Sequence, residues 1–282
     1  MAYPTIDKPY GLKPINLIGG QNFAGATIQL PIQYGTATSI FYGDIVKITQ
    51  GFISRIAVTT GSGGAGMIGV FLGCSFTNPA TGQKQYQQSW PADTLAGDAV
   101  AYVSDDPNAV YKAVVCSATT TVASGSWAMV GQNYQMVNNT VTNTVPGNSA
   151  NALLYSATLV TATFPMRVVG VVQDTAVSQT ATGSSSATTI TLTGSGLTSA
   201  LVSGSDVSYV AANGQIIHTG SFTTTAKVAG DTSILINVAT TSLGLTATAI
   251  PAASTIIFTQ FPEMLVKFNS PGFLEYQTAL AV

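Results

Sequence analysis

Apolar residues in this chain recur at every second position in short runs broken by Gly, Pro, Asn and Asp, a spacing that confines it to β structure. Successive side chains of an extended strand point to opposite faces, whereas a helix brings positions three and four apart onto one face. The run 26–32 sets Ile28, Leu30 and Ile32 on one side. Further strands are expected at 39–42, 45–48, 52–58, 67–74, 85–90, 99–103, 110–116 and 166–172. Beyond residue 175, Ile190 and Leu192 alternate with threonines, and 207–210 and 215–218 flank an Asn213-Gly214 hairpin turn. Ile234, Ile236 and Val238 share a face, and 256–258 and 261–269 complete the set. Turns are predicted at Gly43-Asp44, 78–83 and 104–108, where Asn, Asp, Gly and Pro favour chain reversal. A short helix is compatible with only one stretch, 150–155, where a strand over 153–160 is the competing reading.

Residues 1–24 differ from the rest of the chain. Pro4, Pro9 and Pro14 exclude a helix and hold their neighbours extended. With few apolar residues of its own, this arm must lie on its own domain or on a neighbouring subunit, as a docked or added strand does. Residues 59–66 form a Gly- and Ser-rich loop, flexible by composition. Composition shifts again near Asp174: between 175 and 258 the only charges are Asp206, Lys227 and Asp231. Residues 261–269 then return to the aromatic, charged character of the first half. The expected architecture is all-β: an extended N-terminal arm (1–24), a sandwich- or barrel-like core domain (25–174 plus 259–282), and a small Ser/Thr/Ala-rich β-domain (175–258) inserted near the C-terminus.

Charged residues make up 7% of the chain, against roughly 25% in an average soluble domain. Such a surface relies on Ser, Thr, Asn, Gln and Gly, or is hidden against partners, which points to an exported or assembled protein. The nine Lys and Arg are scattered and the net charge is −2, so no basic stripe favours nucleic acid. No apolar run reaches the ~20 residues of a membrane span. Residues 1–15 lack the basic and apolar regions of a secretory signal, so a protein made in a cytoplasm and released by lysis is expected.

The residues that carry chemistry are sparse. His218 is the single histidine, at a predicted strand end with no Cys, Asp or Glu beside it in sequence, and reads as structural rather than as a base or ligand. Asp93, Asp98, Asp105 and Asp106 form the densest acidic stretch. They do not follow an EF-hand spacing, and turn and strand-start roles fit them better than calcium. Glu263 and Glu275 are the only glutamates, too few for a glycosidase reading. Gly-rich 61–66 lacks the Lys-Ser/Thr ending of a phosphate loop. Trp90 and Trp127 read as core or interface anchors. Cys74 and Cys116 sit in strand-like sequence and read as buried apolar side chains, with a single disulfide left open. No enzymatic activity, metal or cofactor is expected.

The arm and first hairpins carry a resemblance. Tyr10-Gly11-Leu12-Lys13-Pro14 with Asn16-Leu17-Ile18-Gly19-Gly20 resembles the opening of structural proteins of tailed bacteriophages, marine ones especially. So do Ser39-Ile40-Phe41-Tyr42-Gly43-Asp44-Ile45-Val46-Lys47 and Gly69-Val70-Phe71-Leu72-Gly73-Cys74. Gln88-Ser89-Trp90-Pro91-Ala92, Val103-Ser104-Asp105-Asp106-Pro107 and Met264-Leu265-Val266-Lys267-Phe268-Asn269 extend it. The likeness covers 1–174 and 259–282 and is to capsid decoration, or cement, proteins: β-rich, often trimeric, seated between capsomers. It implies a place on the outer surface of a virion, with the major capsid protein and further copies of the same chain, as a homotrimer, for partners. It carries over no active-site residues. On this reading Tyr3, Tyr10, Leu12, Ile15, Leu17 and Ile18 of the arm are the expected capsid or inter-subunit contacts. Removing residues 1–20 is then expected to abolish particle binding and leave the β-domain folded. The alternative is host recognition, with the inserted domain binding a surface glycan or protein. A cell-surface adhesin or surface-layer subunit and a hydrolase are weaker readings.

Overall fold

Alternation and turn chemistry translate into strands. The structure, a computed structural model, describes residues 8–17, 25, 27–56, 66–117, 122–138, 147–155, 164–186, 188–237 and 249–269. These residues contain no α-helix, and short 3₁₀ turns occur at Trp127–Met129 and Gln173–Thr175. In chain order the strands are β1 (Lys13–Leu17), β2 (Ile28–Pro31), β3 (Ile45–Thr49), β4 (Phe52–Arg55), β5 (Gly69–Thr77), β6 (Lys84–Gln87) and β7 (Val100–Ser104). They continue with β8 (Ala109–Ala113), β9 (Val115–Cys116), β10 (Asn133–Tyr134), β11 (Met136–Asn138), β12 (Asn151–Leu154) and β13 (Met166–Val172). The last seven are β14 (Val177–Ser185), β15 (Thr189–Leu192), β16 (Asp206–Val210), β17 (Ile216–Thr223), β18 (Ser233–Asn237), β19 (Ser254–Gln260) and β20 (Glu263–Phe268). The fold is all-β, as its alternation requires. No helix among the described residues is long and apolar enough to cross a membrane.

The described residues divide into two compact units. One, the core unit, holds 8–122, 131–169 and 265–269; the other, the barrel unit, holds 123–130 and 170–264.

In the core unit, strands run in the order β2-β7-β5-β3-β4, with β6 also on β5. The β3–β4 hairpin turns through Gln50 and Gly51, both at positive φ (51° and 86°), the pair of left-handed residues that a tight two-residue turn demands. Ile28, Leu30 and Ile32 face one apolar cluster with Ile40, Val46, Ile53, Phe71, Phe76, Trp90 and Val103. A second sheet runs β1-β8-β20-β13-β10, and a small one β11-β12-β9.

Three expectations change here. Residues 151–154 are strand β12, buried along its whole length and paired with β11 antiparallel and β9 parallel, so the helix at 150–155 does not form. Where both faces of a strand are buried, apolar residues stop alternating, and periodicity cannot separate strand from helix. Residues 39–42 make only isolated bridges, Ile40 with Trp90 and Tyr42 with Asn148. Residues 13–17 of the arm are strand β1, antiparallel to β8. Pro14 fits because β1 is the outer strand of its sheet and the register shifts between Pro14 and Asn16. Deleting 1–20 therefore removes a strand of the core unit together with the fully buried Leu12.

In the barrel unit, six strands close on themselves in the order β14-β15-β18-β17-β16-β19. Ile190, Leu192, Leu197, Leu201, Val207, Tyr209, Ile234, Ile236, Ile256 and Phe258 fill its centre. Amides replace charges in holding the loop at 198–202. Gln179 accepts from Thr198 Oγ1 (3.0 Å) and the Ser199 N–H (3.1 Å) and donates to the Ser199 carbonyl (3.1 Å). Gln260 accepts from the Val202 N–H (3.0 Å) and donates to the Ala200 carbonyl (3.2 Å). Each side chain meets backbone donors and acceptors as another strand would.

Candidate functional site

Three stretches of the sequence, around Gly11-Leu12, Gly43-Asp44 and Phe71, meet at one junction of the core unit. The Leu12 N–H donates to the Gly43 carbonyl (3.1 Å), the Gly43 N–H to the Phe71 carbonyl (2.8 Å), and the Phe71 N–H to the Asp44 carbonyl (2.9 Å). Gly11 and Gly43 both have positive φ (81° and 87°). A Cβ on Gly43 would stand 2.7 Å from the Leu12 nitrogen, and one on Gly11 2.7 Å from the Ser149 Cβ. Only glycine meets both demands, the left-handed backbone and the close approach.

Asp44 is the polar centre of this junction and is fully buried. Its Oδ1 accepts from Ser149 Oγ (2.6 Å) and Asn151 Nδ2 (3.2 Å), and its Oδ2 from the Phe41 N–H (2.8 Å). Arg55 Nε lies 3.5 Å from Oδ2. Burial raises the Asp44 pKa above the ordinary carboxylate value, while Arg55, Ser149 and the Phe41 N–H act to lower it. The Tyr42 N–H donates to the Gly147 carbonyl and the Ser149 N–H to the Tyr42 carbonyl (both 2.8 Å), so segments 41–44 and 147–151 are stitched on both sides of the carboxylate. This cluster fastens chain segments together and presents no open face to a substrate.

A second cluster lies in the barrel unit. The Asn213-Gly214 turn sets Ser208 directly opposite His218 across β16 and β17, and Asp206 lies two residues before Ser208 on the same side of the strand. Ser208 Oγ is 2.9 Å from His218 Nδ1 and donates to Asp206 Oδ2 (3.3 Å); His218 Nδ1 is 3.9 Å from the same Oδ2. The Ser208 hydroxyl lies between ring and carboxylate and is donor or acceptor to Nδ1 according to the imidazole tautomer. Segment 123–130 packs over this group. The Trp127 N–H donates to Asp206 Oδ1 (3.3 Å), the Trp127 ring lies 5.3 Å from the His218 ring, and the Phe261 N–H donates to Ser124 Oγ (3.0 Å). Asp206 raises the His218 pKa above its ordinary 6.5, against the opposing effect of partial burial.

Ser, His and Asp side chains thus meet, yet not as a hydrolytic triad. A triad places the imidazole between hydroxyl and carboxylate, one on each ring nitrogen. Here both lie against Nδ1, and Ser208 is 3% exposed, out of reach of a substrate. No acid stands near His218 in the sequence; the hairpin brings Asp206 beside it in space.

The arm residues and the acids of the core unit have other surroundings. Leu12 is fully buried within its own unit. Tyr10 and Ile15 are half-buried, and Lys13 Nζ sits 4.1 Å above the Tyr10 ring. Leu17 pairs with Ala109; Tyr3, Ile18 and the loop at 59–65 lie outside the described residues. Asp98 accepts from the Thr77 N–H (2.9 Å) and hydroxyl (2.7 Å) and from Lys84 Nζ (2.9 Å), which hold its carboxyl well below the usual range. Asp106 caps the turn at the Asn108 N–H (2.7 Å). No group of three or more His, Cys, Asp or Glu placed to hold a metal occurs among the described residues.

Cys74 and Cys116 are separate, buried thiols. Burial pushes the Cys74 pKa up to about 12, leaving almost no thiolate at neutral pH. Native protein at about pH 8 is expected to leave Cys74 unlabelled by a thiol-directed reagent, with rapid labelling after unfolding in denaturant. Mass spectrometry of the labelled peptide checks this, and prompt native labelling at Cys74 would contradict its burial.

No protein-family model, curated protein or solved structure matches this chain.

Proposed function

We propose that the chain is a non-enzymatic structural protein of a phage particle that decorates the capsid and stabilises it by bridging neighbouring capsid subunits, as a homotrimer on the outer surface. The observation that carries this reading is where the resembling residues fall. Gly11, Leu12, Gly43, Asp44 and Phe71, drawn from three separate stretches, hydrogen-bond or abut one another at a buried junction. The shared stretches thus serve architecture, in keeping with a structural protein. The low charge supports the same reading, because contacts made by apolar burial and backbone pairing tolerate salt. A trimer touching several capsid subunits gains affinity through effective concentration, without one strong contact.

Exposed apolar side chains of the core unit, Tyr34, Tyr86 and Leu95, offer such contacts. Ile216, Val228 and Leu235 are exposed on the barrel unit and favour the second reading, host recognition through that unit. Copy number separates the two. Imaging of purified particles is expected to find on the order of hundreds of copies on the shell's symmetry axes. Roughly a dozen or fewer, confined to the tail, would overturn the decoration reading and favour recognition. The arm is tested by deleting residues 1–7, which spares β1 and Leu12. Particle binding is expected to weaken while the melting temperature stays unchanged, and full binding would remove the arm from the contact.

A further inference from the structure

The cluster on β16 and β17 holds the chain's one histidine, the side chain that ordinarily responds to pH near neutrality. We propose that Asp206, Ser208, His218 and Trp127 form a pH-responsive latch that holds segment 123–130 against the barrel wall more firmly when His218 is protonated.

The geometry supplies both halves of the device. One half is the held segment. Ser124 and Ser126 are buried, and the Ser124 carbonyl approaches Gly204 so closely that a Cβ there would stand 2.7 Å from it. Beside these contacts and the 3₁₀ turn at Trp127–Met129, two bonds tie the segment to the wall, Ser124 Oγ with the Phe261 N–H and Asp206 Oδ1 with the Trp127 N–H. The other half is the switch. Asp206 Oδ1 holds the segment while Oδ2 faces Ser208 and His218, so charge on the ring acts on the carboxylate that makes the hold. The same positive charge lies beside the Trp127 indole, 5.3 Å between ring centroids, within the range over which an aromatic ring attracts a cation.

Among the described residues, no other titratable group of the elements around His218 competes. Segment 123–130 contains no titratable side chain, and neither does β18. On β17 His218 is the only titratable group; β16 carries Asp206 and Tyr209, and Tyr209 belongs to the barrel interior. His218 is also the one histidine of the chain, and few other side chains change charge between about pH 5 and 8. The sign comes from linkage. A group whose proton affinity is higher folded than unfolded stabilises fully below its unfolded pKa, and that contribution is lost as pH rises through the folded value. The latch is therefore tight on the acid side of 6.5 and loosens above the raised midpoint.

With one histidine and two tryptophans, proton and nitrogen NMR of the full chain reads the device directly. The imidazole is expected to titrate at a higher pH in the folded protein than in urea. The Trp127 backbone amide and indole resonances should move with the same midpoint while the Trp90 indole stays still. Asp206→Asn should bring the imidazole midpoint to the unfolded value or below. His218→Gln, at a half-exposed position, should leave Trp127 insensitive to pH and so keeps the test available if the Asp206 variant does not fold. Asp44, whose pKa is also raised, lies in the core unit, and its titration registers in resonances of that unit. A folded midpoint equal to the unfolded one, an unchanged midpoint in Asp206→Asn, or Trp127 signals flat across the imidazole titration would overturn the latch.

Discussion

Replacing Asp44 with alanine is expected to destabilise the core unit by about 3–5 kcal/mol, the range found when one member of a buried charged group is removed. Alanine leaves the Phe41 N–H and Asn151 Nδ2 without the carboxylate they share, and leaves the Arg55 guanidinium without its counter-charge. Each orphaned donor costs about 1–3 kcal/mol on its own account. At roughly 2–4 °C per kcal/mol, the melting temperature should fall by about 10 °C. Asparagine keeps the shape and one acceptor oxygen, so Asp44→Asn should lose less. It should also gain on wild type as pH rises. The Asp44 pKa is raised by burial, so its own contribution is greatest at acid pH and declines as pH climbs through the folded value, whereas asparagine has nothing to titrate. Melts of the three proteins at acid and neutral pH test both statements. An alanine variant melting with wild type would show that the junction contributes little.

Trp90→Ala should be comparably damaging, about 3–5 kcal/mol, through the cavity left when the largest side chain of the core cluster is cut back. Trp90 is fully buried, stands edge-on to Phe76 at 5.1 Å and pairs through its backbone with Ile40. Its indole nitrogen is buried with no hydrogen-bond partner, so exchange for phenylalanine forfeits volume but no bond. Trp90→Phe should therefore cost about half as much or less. Urea denaturation gives both values, and equal losses would mean that the indole nitrogen matters more than its packing.

Most strands were legible because their physics is local. Residues 26–32 and 234–236 alternate, and alternation is what a strand with one wet face requires. Residues 151–154 were not, since all four are buried and their chemistry says only that they avoid water. The Ser208–His218 contact could be narrowed only to within a residue, because a two-residue Asn213-Gly214 turn would set Thr219 opposite Ser208. Trp127 could not, because it reaches Asp206 from 79 positions away in the chain. The junction at Asp44 was half visible: Gly43-Asp44 reads as a turn, but Ser149 and Asn151 come from beyond a long Asn/Thr-rich stretch with no pattern pointing back. Proline correctly excluded helix from residues 8–17 of the arm, yet composition could not say whether an extended segment pairs with its own chain. The β1–β8 ladder answers that for residues 13–17.

The closure of the six-stranded barrel bears on a hazard that so weakly charged a chain faces. Proteins usually keep apart in concentrated surroundings through mutual repulsion, which a chain with 7% charged residues largely lacks. An open sheet of Ser, Thr, Ala and β-branched residues would present unpaired amides as a template for neighbouring copies, the first step towards fibrous aggregates. Joining β14 to both β15 and β19 completes the ring, so the barrel has no terminal edge strand. Closure of the hydrogen-bond circuit thus does for colloidal stability what surface charge does in other proteins, and does so independently of salt.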